Sequence, residues 1–327
     1  MTLAVALSSG IEWQLSFLLP ILTAIMLALP LPRPTLRQGL TLMRSSLIAF
    51  CIGFVFTQFI LPFTIIYIPL LGVALFYTYY HLNRGGSLWL VLMLLICLLL
   101  MPMLAGVHEG LAIGVVSGLV SSSWLTIVIM WIAHYFFPDK ESKAIAAKPG
   151  FQPGYSTPAA AAAIKSTIVV FPIAILFIAN NWTSQVLVMI FAAIFTLSPN
   201  IDKGLEAGLN SIKSTFIGGA AAFFFYWVLV AVPEYVFLVT LMFLASLGFG
   251  MAINSRKRIS PYLSSAMVAM IILVNSSLAE GADFSEKFVI RLLLIALSAI
   301  YVVLALKVLD AFWAKKPVDG TEANITG

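Results

Sequence analysis

A chain of 327 residues that is 61% hydrophobic and only 9% charged, with a mean hydropathy of +1.06, lacks the roughly 25% of charged residues with which a soluble domain covers its surface. This composition excludes a water-soluble globular protein and leaves an all-α polytopic membrane bundle, with lipid as the solvent for most side chains. The net charge of +5 would suggest a nucleic-acid partner only if the basic residues clustered, and they lie in loops between apolar segments instead.

About eleven spans are expected, since a crossing helix needs roughly 20 mainly apolar residues. In chain order they run Leu15 to Leu31, Ser45 to Leu61, Phe63 to Tyr80, Leu88 to Ala105, Leu111 to Phe137 and Ala160 to Ala179. The remainder run Ser184 to Ser198, Ile212 to Val232, Tyr235 to Ile253, Tyr262 to Leu278 and Phe288 to Phe312. The span from Ser184 is short. No secretory leader is expected, because the first residues hold no Lys or Arg and no cleavage-like step follows them. Cys51 and Cys97 fall inside apolar runs and read as packing residues, so no disulfide or metal arithmetic applies.

Basic residues orient these spans, because short cytoplasmic loops collect Lys and Arg. If the loop holding Arg33, Arg37 and Arg44 is inside, alternate loops place 16 of the 18 basic residues inside and leave only Lys287 and Arg291 outside. The expected topology is therefore N-terminus outside and C-terminus cytoplasmic. His81 is placed in a solvated cytoplasmic loop. Trp13, Trp182 and Trp227 fall toward outer ends and Trp89, Trp131 and Trp313 toward inner ends, as interfacial belts require. Trp124 is deeper in its span.

An internal repeat runs through the chain. An offset of 169 carries Trp13 onto Trp182, Pro30 onto Pro199, Leu36 onto Leu205, Gly39 onto Gly208, Leu40 onto Leu209 and Ser45 onto Ser214, with Arg44 on Lys213. An offset of 171 carries Asn83 onto Asn254, Glu109 onto Glu280 and Gly110 onto Gly281. The organisation predicted is two parallel five-helix repeats joined by one helix. Residues 1–137 form the first membrane repeat, 138–183 a cytoplasmic linker and connecting helix, 184–314 the second repeat, and 315–327 a disordered cytoplasmic tail.

These repeated residues carry a resemblance. The short apolar helix ending in Pro30, then Leu36, Gly39, Leu40, Arg44, Ser45, Ser46 and Gly53, with its second copy at Pro199, Leu205, Gly208, Leu209, Lys213, Ser214, Thr215 and Gly218, resembles the fusaric acid resistance and aromatic acid exporter superfamily. The resemblance implies a multi-pass exporter of small aromatic or weak organic acids in the bacterial inner membrane. It also implies a periplasmic adaptor of the HlyD type and a homodimer as partners. Two departures are visible: the chain has no large cytoplasmic domain, and the Gly-Thr pair that often follows the basic residue is intact in neither copy.

Charges within or beside apolar segments are the functional candidates, since ionised groups are costly in hydrocarbon. Arg44, Lys213 and Arg37 either orient the spans or draw an organic anion to the inner mouth. Glu109 and Glu280, each followed by glycine, and His108 beside the first, form either a solvated turn or a proton-coupling group. Ser122, with Ser121, Ser123, Ser264, Ser265 and Asn275, reads as a polar lining or as hydroxyls bonded to their own helix. Gly106, Gly110, Gly114 and Gly118 make a packing ladder.

Three function classes follow. A proton-driven secondary exporter of small organic anions leads, there being no Walker-type loop for nucleotide. A passive anion channel is the alternative. A membrane enzyme ranks last, because no clustered His or Asp motif, no metal-ligand spacing and no cofactor motif is present.

Overall fold

The computed structural model describes residues 1–11, 16, 18–28, 35–105, 109–136, 154–180, 182, 186–197, 201–253, 255, 259–280 and 284–314. Trp13, Pro30, Arg33, His108, Pro199, Arg256, Lys257 and Arg258 lie outside these residues, as do most of the linker from Pro138 and the tail from Lys315. Among the described residues the chain is helical throughout, with twelve α-helices and no strand. They are α1 (Thr2–Ile11), α2 (Leu18–Ala28), α3 (Leu36–Val55), α4 (Thr64–Asn83), α5 (Leu88–Ala105) and α6 (Glu109–Phe136). The second six are α7 (Thr157–Ala179), α8 (Val186–Phe195), α9 (Ile201–Ala231), α10 (Tyr235–Ile253), α11 (Ser260–Glu280) and α12 (Phe284–Ala314).

Eight stretches are long and apolar enough to cross a membrane, on α3, α4, α5, α6, α7, α9, α10 and α12, which makes this a multi-pass membrane protein. Among the described residues, length and composition thus support eight of the eleven expected crossings. The expected spans Leu15 to Leu31 and Ser184 to Ser198 become helices of 11 and 10 residues. At 1.5 Å per residue each is about 16 Å long, half of the roughly 30 Å hydrocarbon core. In α11 the apolar stretch is Tyr262–Val274. One helix was not expected at all: α1 precedes the first predicted span.

Polar residues explain where two helices begin. Helix α3 starts at Leu36, nine residues ahead of the apolar run, because Thr35 and Gln38 form a reciprocal capping box in which each side chain serves the other's backbone N–H. It ends in a π-helical turn over Phe56–Ile60, ahead of Pro62. Helix α9 likewise extends back to Ile201 through Lys203, Glu206 and Lys213. After α4 the chain closes with Gly85 at φ +82° and the Gly86 N–H donating to the His81 carbonyl, a Schellman stop that places His81 in the last helical turn instead of a loop.

The long helices pack through small residues. In the first half α3 lies on α5 and α6, α2 on α6, and α4 on α5. In the second half α9 lies on α11 and α12, α8 on α12, and α10 on α11. The halves are interleaved: α7 packs on α4, α1 on α10, α2 on α11, and α8 on α5. Close approach is visible at Gly39 against Trp131, Gly53 against Cys97, Gly218 against the Ala266 carbonyl, and Gly219 against the Phe288 ring. At each of these a Cβ would collide with its neighbour, which is how small residues let membrane helices pair without a hydrophobic driving force.

Helices α2 and α8, with α5, are the most buried. Leu19 to Thr23, Ala24 and Met26 are buried on α2, and Val188, Met189, Ala192, Ala193 and Phe195 on α8. A helix apolar and buried on nearly every side belongs inside a bundle. Helix α10 is the opposite extreme, with only Met242 buried.

Candidate functional site

The centre of interest is the ground around α2 and α8, because a helix that stops inside a bundle leaves backbone groups that need partners. At the C-terminal end of α8 those partners are side chains. The Tyr79 hydroxyl of α4 donates to the Ala193 carbonyl at 3.0 Å and lies 3.1 Å from Thr196 Oγ1. The Ser166 hydroxyl of α7 donates to the Thr196 carbonyl at 2.7 Å. All three side chains are buried.

Each short helix is also joined to its long neighbour by a hydroxyl. Thr23 on α2 lies 3.3 Å from Thr126 on α6, and Ser298 on α12 donates to the Val188 carbonyl of α8 at 3.0 Å. Thr126 and Ser298 are separated by the 171-residue sequence offset to within one residue; the first contact is made side chain to side chain, the second side chain to backbone carbonyl.

Polar groups without partners lie on both of these long helices. Ser122 and Ser123 on α6 are fully buried, and neither hydroxyl oxygen has a hydrogen-bond partner. Ser122 supplies only its carbonyl, which accepts from Thr126. The offset that carries Glu109 onto Glu280 carries Ser122 onto Leu293, two residues from Arg291 on α12. Arg291 is 7% exposed and its Nε is unpartnered. Among the described residues it is the one charged side chain that is buried.

Arg291 corrects the sequence reading, which counted it with the outer orienting residues. It lies three residues into the apolar stretch Phe288–Ala311, on the face that continues through Ile295, Ser298, Val302 and Leu306, all buried. That spacing of three and four residues was legible in the sequence. Counting charges by loop hid it. An ionised group so placed costs several kcal/mol unless paired or hydrated, which makes it a functional candidate by default.

The predicted cations lie elsewhere. Arg37, Arg44 and Lys213 are all exposed, on the N-terminal halves of α3 and α9. Lys213 Nζ sits 5.5 Å over the Tyr262 ring of α11, a cation–π contact. At the related place in the first half Trp89 Nε1 of α5 donates to the Ser46 hydroxyl of α3 at 2.8 Å. Trp89 is buried, whereas Trp124, Trp182 and Trp227 are exposed. Helices α3 and α9 form no extensive contact with each other among the described residues, so Arg44 and Lys213 are not brought side by side.

For the remaining candidates the backbone alone is placed. Glu109 opens α6 and Glu280 closes α11, and Asn275 lies in α11, but their side chains are outside the described part, as is His108. Ser121 donates back to the Ser117 carbonyl, the local bonding that hydroxyls in spans often adopt. Gly114 and Gly118 are buried on α6, in keeping with a packing ladder. Cys51 is exposed and Cys97 buried, both as free thiols.

Helix lengths, apolar character and buried polar groups together define a polytopic α-helical membrane protein. Residues 1–133 match the family described as "Protein of unknown function (DUF2955)". No curated protein and no solved structure matches the chain.

Proposed function

We propose that the chain is a secondary efflux transporter that moves small organic anions, aromatic acids among them, out across the bacterial inner membrane, driven by protons. The observation that carries this reading is the pair of half-length helices α2 and α8, each walled in by long helices at repeat-related places. Transporters use such discontinuous helices to bring backbone ends and polar side chains to a substrate near mid-membrane.

The halves are parallel repeats in this reading, α1–α6 and α7–α12, with α1 answering to the C-terminal half of α7. The packing pairs support it: α3 on α5 matches α9 on α11, α2 on α6 matches α8 on α12, and α4 on α7 matches α10 on α1. With α11 and the two half-length helices α2 and α8 each counted as one pass of the chain, α2 and α8 as discontinuous ones, the chain makes eleven passes. Its N-terminus lies outside, its C-terminus is cytoplasmic, and α1 is laid against the outer half of α10. That placement agrees with the Tyr235 hydroxyl donating to the Ala6 carbonyl at 2.8 Å.

Arg37 and Arg44 attract the anion at the cytoplasmic mouth and Lys213, twelve residues into α9, meets it further along, while Ser122 and Asn275 line its route. Glu109, Glu280 and His108 take protons from the periplasm. A periplasmic adaptor of the HlyD type and a second copy of the chain are the partners that the exporter resemblance adds.

Proteoliposomes loaded with 4-hydroxybenzoate test the proposal. Accumulation against the anion's gradient is expected only when a proton gradient is imposed. Flux that runs solely downhill and ignores the pH difference identifies a passive anion channel, and absence of flux rejects transport.

A further inference from the structure

The second half carries a feature that the first half lacks. Gly219 on α9 meets the Phe288 ring of α12, and Gly208 meets Ala299. The two contacts are eleven residues apart on both helices, so α9 and α12 run antiparallel in a fixed register. Phe288 and Phe216 then lie side by side, their rings tilted by 47° with centroids 6.3 Å apart, and Arg291 comes level with Phe216. Phe288 lies one turn nearer the start of α12. At the residues related to Arg291 in the first half, Leu119 and Val120, there is no charge.

We propose that Arg291 is the anion-binding residue of the transport route and takes the carboxylate of a singly charged organic acid, whose ring or apolar body lies against Phe288 and Phe216. This rests on the transporter reading above and names the residue that meets the ligand inside the membrane.

Three observations carry the assignment. Arg291 is buried against protein, 7% exposed, so its side chain is enclosed by neighbouring residues instead of lying along the helix surface. Its Nε is left without a partner, and a guanidinium binds a carboxylate through two parallel N–H groups, Nε among them. The helix that carries it is the one that holds α8 through Ser298, seven residues further along the same face. One cation with no described carboxylate against it selects one negative charge. The tilted pair of aromatic rings beside it offers ring edges and faces to an aromatic body.

The test uses the purified full-length protein and three substitutions, Arg291→Leu, Arg291→Gln and Arg291→Lys. Thermal unfolding is followed with and without 4-hydroxybenzoate, with its neutral amide as the control. The anion, but not the amide, is expected to raise the melting temperature of the native protein. Arg291→Gln and Arg291→Leu should abolish that rise, and Arg291→Lys should weaken apparent affinity tenfold or more, since an ammonium lacks the fork. Without ligand, Arg291→Leu is expected to melt higher than the native chain, because it removes an uncompensated buried charge.

A leucine variant that melts lower or fails to fold places Arg291 in a structural pair and overturns the proposal. An unchanged response to the anion in Arg291→Gln overturns it as well, even if proteoliposome flux persists and the transport reading survives. Arg291-dependent binding with no flux has the opposite meaning: the site stands and the transport reading falls. If the native protein responds to neither compound, Arg291 is not an organic-carboxylate site.

Discussion

Tyr79 and Thr196 touch across 117 positions of sequence, hydroxyl to hydroxyl at 3.1 Å, and both side chains are fully buried. The contact joins α4 of the first half to the end of α8 in the second. Its role is to close a helix that stops inside the bundle, where no water is at hand for its last carbonyls.

Removing the Tyr79 hydroxyl should be felt as the loss of one of two donors to the same carbonyl. Tyr79→Phe keeps the ring and leaves the Ala193 carbonyl with the Thr196 hydroxyl alone, at 3.0 Å. The expected loss is about 0.5–1.5 kcal/mol of stability, read as a lower melting temperature of the purified protein. Ser166→Ala frees the Thr196 carbonyl three residues further on, and the double variant should lose less than the sum of the two, as neighbours in one network do. Strict additivity would separate the two bonds and reject a shared cap.

Much of this architecture was legible in the sequence where helices are bounded by polar residues and turns. Spans α5 and α10 fall at Leu88–Ala105 and Tyr235–Ile253, as apolar content alone predicted. Helices α3 and α9 begin earlier than hydropathy suggests, because Thr35, Gln38, Glu206 and Lys213 are good caps and helix formers in regions that are not apolar. Hydropathy also does not separate a half-length helix from a crossing one, so α2 and α8 read as ordinary spans, and it gave no reason to set α1 apart. Arg291 shows the other limit. A charge one turn inside an apolar run looks interfacial until the neighbours that bury it are placed, and burial is a property of three-dimensional packing.

The register of α9 on α12 makes a second prediction. Gly219→Ala puts a methyl group where the Phe288 ring lies. Overpacking of this kind costs typically about 1–3 kcal/mol. Adding Phe288→Leu should restore most of the lost melting temperature by clearing the ring. A double variant no better than Gly219→Ala alone would mean that the helices meet in another register.

Lys165 Nζ of α7 lies 2.7 Å from Asp310 Oδ1 of α12, with the side chains 27% and 44% exposed. Exposure of this extent limits the pair to about 1 kcal/mol or less. Lys165→Met and Asp310→Asn should each produce a small drop in melting temperature, and the charge exchange Lys165→Asp with Asp310→Lys should recover it. A large loss in either single variant would show that the pair is drier than its exposure indicates.

Arg44 and Lys213 offer the cleanest separation of orientation from transport. Both are exposed, so neutral replacements remove charge without opening a cavity. Arg44→Gln with Lys213→Gln is expected to leave the amount of folded protein and its melting temperature within error. The double variant should raise the concentration of 4-hydroxybenzoate needed for half-maximal flux several-fold, because the local cationic field that concentrates anions at the mouth is lost. Added salt should shrink the difference between native and variant, since exposed charges are screened over about 8–10 Å at ordinary ionic strength. Flux unchanged at low salt would return both residues to fixing the direction of insertion, and inverted accessibility of the loops in the variant would show that directly.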